Sequence, residues 1–157
     1  MYRVPACEGE SMAPPEYEPR YLAGIEHFNA GDYFEAHEVW EEAWLVEKGS
    51  ARQALHGLIQ IAAALHKASR GERPRGCRLL LKWGTAKLGE LPDSCCGFAL
   101  ERLRLRLRAF RDLAENWERG ETGAPPAGAF PKIFLTARRP PRKHRARTRG
   151  IRRTSTS

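Results

Sequence analysis

The sequence predicts an all-α protein, a compact bundle of about five antiparallel helices, and three observations carry that reading. Apolar residues recur at spacings of three and four through five separate segments. Gly or Pro stands at most of the breaks between them, so the turns are short and successive helices fold back on one another. No strand-pairing pattern occurs elsewhere in the chain.

The first helix is expected over roughly 17–30, where Tyr21, Leu22, Ile25 and Phe28 repeat at three and four before Gly31 stops the run. Asp32, with Glu35 three residues on, resembles a capping box and starts the second helix, which runs to about Lys48. Tyr33, Ala36, Val39, Trp40, Ala43 and Trp44 form its wide apolar face, and a second row, Phe34, His37, Glu38, Glu41 and Leu45, adjoins it. The third helix, about 51–70, is apolar almost all round and should be central. Its polar stripe is Gln53, His56, Gln60 and Lys67, whereas His66 shares the face of Leu55, Ile59 and Ala62 and is expected to be buried.

Gly71 and Pro74 separate the third helix from the fourth, which runs to about Leu88 and should bury Cys77, Leu80, Leu81, Gly84 and Leu88. In the last helix RLRLRLR (102–108) imitates a strand locally. Over a longer window Leu100, Leu103, Leu107, Phe110, Ala114 and Trp117 keep the helical period, and Gly120 ends it. The folded domain is thus expected at 17–120, after a disordered leader at 1–16. Residues 121–135 read as a linker and then a short extended segment, FPKIFL, that packs back on the bundle.

A formal net charge of +8 invites a nucleic-acid reading, but its distribution limits that reading. Residues 136–157 hold nine Lys or Arg and no acid, so residues 1–135 carry a net charge of −1. The tail should be disordered and should give only weak, sequence-independent, salt-sensitive nucleic-acid binding. The longest apolar run, Leu58 to Leu65, is broken by Gln60 and falls far short of the roughly 20 residues that span a bilayer. The N-terminus has neither a secretory nor a transit pattern, and Met12 is an alternative start. Four cysteines without zinc or disulfide spacing fit free thiols in a reducing compartment, and the chain reads as cytoplasmic.

Chemistry, where the sequence offers any, lies in FEAHEVWEEAW. His37 and Glu41 are four apart on one helix face, with Cβ atoms about 5–6 Å from each other, close enough to ligate one divalent ion. Two ligands leave such a site incomplete, so a third must come from another helix. His56 and Gln60 on helix three are the nearest source, with His66 as an alternative and Glu38 and Trp44 in support. A hydrogen-bonded pair serving stability alone is the simpler reading of the same residues. His37-Glu38-x-x-Glu41 lacks the second His of a zinc protease, and no His stands three after a Glu as a di-iron bundle requires. P-loop, Rossmann and GxSxG patterns are absent.

Three segments, FNAGDYFEAHEVWEEAW (28–44), GLIQIAAALHKASRG (57–71) and PRGCRLLLKWGTAKL (74–88), together resemble the domain of unknown function 309 family. The resemblance implies an all-helical fold and a functionally important, metal-binding His-x-x-x-Glu-x-x-Trp motif, here His37, Glu41 and Trp44. It supplies no activity. Trp40 and Trp117 read as core, whereas Trp44 belongs near the site. Three functions follow: a helical protein with a His/Glu site for one divalent metal or a polar ligand, an interaction module built on a tetratricopeptide-like hairpin, or a tail-driven nucleic-acid binder. The second is weakened because no 34-residue repeat follows.

Overall fold

Glu18 opens the first helix. Its carboxylate accepts the backbone N–H groups of Arg20 at 2.8 Å and Tyr21 at 3.1 Å, and Pro19 occupies the first turn, where its missing N–H leaves no bond unmade. The computed structural model describes residues 18–136, so the expected leader and the basic tail beyond Thr136 lie outside the described residues. Helix α1, Pro19–Ala30, closes at Gly31, whose φ of +88° a glycine adopts without strain. There Gly31 N–H reaches Phe28 O at 3.1 Å and Asp32 N–H reaches His27 O at 2.8 Å.

Helix α2 spans Tyr33–Val46, and the capping box expected at its start does not form. Asp32 sits at the cap position, but its side chain bonds no backbone N–H and lies 3.9 Å from His27 instead. The tight α1 to α2 turn already commits the Asp32 backbone, and the exposed carboxylate turns back to the end of α1. Helices α3 (Gly49–Ser69), α4 (Pro74–Gly89) and α5 (Leu100–Glu118) complete the bundle.

Cross-helix contacts fix every neighbouring pair as antiparallel. Phe28 meets Tyr33 while Tyr21 O meets Trp40. Trp44 meets His56 while Phe34 meets His66. Gln53 bonds Lys87 O, and Lys67 lies beside Gly76. Arg78 pairs with Glu118, and Arg104 bonds Leu88 O. The predicted all-α array of antiparallel helices is therefore the fold, with α3 central and Leu55, Leu58, Ile61 and Leu65 fully buried. Trp40 is core as expected. Trp117 and Leu80 are only partly buried against the core, and Trp83 faces solvent. No described helix is long and apolar enough to cross a membrane.

One element escapes the helical pattern. Strands β1 (Ser94–Cys95) and β2 (Phe98–Ala99) form a small hairpin whose two-residue turn, Cys96 and Gly97, has positive φ at both positions. Strands of two residues are too short to show alternation. The hairpin matters because the chain after α5 returns to it: Ala99 N–H bonds Phe134 O at 2.9 Å and Thr136 N–H bonds Gly97 O at 2.8 Å. Asn29 bonds both the N–H and the C=O of Ile133, whose side chain is only 2% exposed, and Phe130 packs between Tyr33 and Phe110.

Residues 130–136 thus contribute to the core. Burying one Ile side chain stabilises by about 1.5–3 kcal/mol. A chain ending at Gly120 is expected to be less stable than one ending at Thr136 by at least roughly 2 kcal/mol, measured by urea unfolding of the two proteins. Equal midpoints would show that the returning segment adds nothing.

Candidate functional site

Helix α2 buries the stripe Tyr33, Ala36, Trp40 and Ala43, which leaves the next row at the rim of the bundle. Phe34 and Leu45, the apolar residues that bracket His37 and Glu41 in that row, are 53% and 66% exposed, so the row is not drawn into the core. His37 and Glu41 stand half-buried at the rim. His37 Nδ1 lies 3.3 Å from Glu38 Oε1 and 3.8 Å from Glu41 Oε2, with side chains 28%, 51% and 47% exposed in that order. One ligand atom from each of the three lies within 4.8 Å of the others.

Helix α3 supplies none of the expected partners. Gln60 accepts Lys87 Nζ at 2.9 Å and faces α4. His56 packs against Trp44 with ring centroids 5.4 Å apart and planes tilted by 46°, and His66 stands beside Phe34 at 5.8 Å, partly exposed rather than buried. The antiparallel register explains the result. Trp44 is level with His56 and Phe34 with His66, so the two α3 histidines meet rings toward either end of α2 and not His37 or Glu41 between them. Among the described residues the third ligand atom comes from Glu38 on the same helix, a residue the sequence placed only in support.

Trp44 adjoins the group, three residues after Glu41. Arg52 lies 4.1 Å over its ring and also donates to Trp44 O at 3.0 Å and Glu47 O at 3.3 Å, which clamps the end of α2 onto α3. Trp44 Nε1 is buried without a hydrogen-bond acceptor among the described residues. Burial, with Lys87 and Arg52 adding positive charge, holds the His56 imidazole below its ordinary range.

One imidazole nitrogen and two carboxylates suit a borderline divalent ion such as Zn²⁺, Mn²⁺ or Fe²⁺. The donors fit a metal: all three converge, two are anionic, and the helix face opens to water that would complete the coordination sphere. A cavity of about 600 Å³ lies at the other end of α2, between Phe28, Tyr33, Arg70 and Phe130, and none of the three residues lines it.

A bundle of antiparallel helices with an acidic His-centred group on its second helix defines the class. The model of the domain of unknown function (DUF309) family matches residues 21–80, and the family resemblance seen in the sequence holds. That segment contains α2, α3 and the His37, Glu41, Trp44 motif. The chain is also similar to an uncharacterized protein of Aquifex aeolicus (strain VF5), 32% identical over 81 residues. The match covers 51% of this chain and 24% of that protein, so the chain spans about a quarter of its relative's length.

Proposed function

We propose that this protein is a small helical metal-binding protein whose site is His37, Glu38 and Glu41, holding one divalent ion on the outer face of α2. The convergence of three ligand atoms within 4.8 Å carries the reading. Its support is chemical. An isolated His/Glu pair at four-residue spacing serves a helix as well as a metal, but a second carboxylate brought to the same imidazole raises repulsion between Glu38 and Glu41 that a cation relieves. Trp44 packs one turn along and, with Arg52, keeps this end of the helix from fraying.

Isothermal titration of the full chain with Zn²⁺ and Mn²⁺, after removal of any bound metal, tests the proposal. One ion per chain is expected. His37→Ala and Glu41→Gln should each weaken binding roughly tenfold or more, since loss of even an outer-shell partner costs that much. Binding should also weaken on acidification, because the proton and the metal compete for the imidazole. If the wild-type chain takes up no metal and His37→Ala only lowers the melting temperature, the group is a structural ion pair and the proposal fails.

A further inference from the structure

The near-neutral charge of residues 1–135 conceals a separation. Helices α1 and α2 carry five acids against Arg20 alone, while α4 carries Arg75, Arg78, Lys82 and Lys87 and no acid. Helix α5 adds Arg104, Arg108 and Arg111 at spacings of four and three, which places them along one helix face. Between α4 and α5 lies a groove of about 340 Å³ lined by Lys82, Thr85, Ala86, Gly89 and these three arginines.

The other basic residues beside the groove have partners. Arg78 pairs with Glu118, and Arg104 pairs with Asp93 at 2.8 Å while also donating to Leu88 O and Leu91 O at the end of α4. Arg104 therefore ties α4 to α5. Lys82, Arg108 and Arg111 have no carboxylate within ion-pair distance among the described residues. Three cations without a close ion pair around one concave surface repel each other, even with Asp112 and Glu115 one turn along α5, and an anion in the groove relieves that repulsion.

We propose that this groove binds the phosphate backbone of a nucleic-acid strand. Arg108 and Arg111 are three residues apart on one face of α5, neighbours with Cβ atoms about 5–6 Å apart, so both can reach phosphates of the same strand. Guanidinium forks match phosphate oxygens in geometry as well as in charge. An acidic peptide is the poorer fit, because the groove's described lining, Lys82, Thr85, Ala86, Gly89 and the three arginines, holds no aromatic or branched aliphatic side chain against which a peptide anchor would pack. The arginine-rich chain beyond Thr136 carries the same sign of charge.

Fluorescence anisotropy of a labelled mixed-sequence oligonucleotide of 20 residues, titrated with full-length protein over a range of salt, tests this. The pair Arg108→Ala with Arg111→Ala should weaken binding roughly tenfold or more near 0.1 M salt and lower the salt slope by about 2. The pair Arg75→Ala with Arg106→Ala removes equal charge from exposed positions outside the groove and should change affinity less than about threefold, the effect of general charge alone. Lys82→Glu, on an exposed side chain, is a second variant that should weaken binding as the first pair does, and circular dichroism checks the fold of each. Equal losses from the two arginine pairs would overturn the groove in favour of a diffuse field. Competition by polyglutamate of equal charge as strong as that of unlabelled oligonucleotide would overturn the nucleic-acid assignment, and so would full displacement by inorganic triphosphate at equal phosphate concentration.

Discussion

Trp40→Ala should lower stability by about 3–5 kcal/mol and the melting temperature by roughly 10–20 °C. Trp40 is fully buried, its ring lies 5.8 Å from Phe28, and its Nε1 donates to Tyr21 O at 3.4 Å, so the indole locks α2 against α1. It does so only because Gly24 stands opposite: a Cβ there would lie 2.0 Å from Trp40 Nε1. Gly24→Ala is therefore expected to cost about 1–3 kcal/mol by overpacking, although Ala is the better helix former. In the Trp40→Ala background that cost should disappear, because the cavity accommodates the methyl group. A double-mutant cycle in urea measures the coupling. Additive costs would show that Gly24 and Trp40 do not share one space.

Gly84→Val should be about as damaging, roughly 3 kcal/mol or more, for a backbone reason. A Cβ at Gly84 would lie 2.8 Å from Gly57 O and 2.8 Å from Ile61 Cγ1, and one at Gly57 would lie 3.1 Å from Gly84 O. The two glycines let α3 and α4 approach at backbone distance, and a carbonyl oxygen cannot rotate away as a side chain can. The same logic predicts opposite signs for one substitution at two places on α4. Gly84→Ala should destabilise, whereas Gly89→Ala, with nothing within 4 Å of its Cβ position, should stabilise by up to about 1 kcal/mol. Chemical denaturation of both single variants decides it, and a stabilising Gly84→Ala would remove the close-approach argument.

The candidate site was partly legible. His37 and Glu41 at four-residue spacing on α2 declared a shared face, and the structure places them together with Glu38. Their depth and their neighbours were not legible. Phe34 and Leu45 are apolar and flank the pair in sequence, yet α2 has one stripe to bury and Trp40, Tyr33, Ala36 and Ala43 occupy it. The polar stripe of α3 likewise looked like one unit, but Gln53 and Gln60 turn to α4 while His56 turns to Trp44. In RLRLRLR the local alternation of arginine and leucine masks the helical row of Arg104, Arg108 and Arg111, which appears only at spacings of four and three.

The sequence by itself determined the five helices, their approximate ends, the antiparallel order and the core tryptophan, because periodicity, Gly stops and turn length are properties of one segment and its immediate flanks. The tertiary structure alone decided which rows meet. It turned Gln60 to Lys87 and His56 to Trp44 rather than to His37 and Glu41, supplied the hairpin of two-residue strands to which the expected returning segment bonds, and brought Lys82, Arg108 and Arg111 to one groove. Those outcomes depend on the rotation and register of one helix against another. Register is selected by the whole core at once, through contacts such as Gly24 with Trp40 and Gly57 with Gly84, and no single segment carries it.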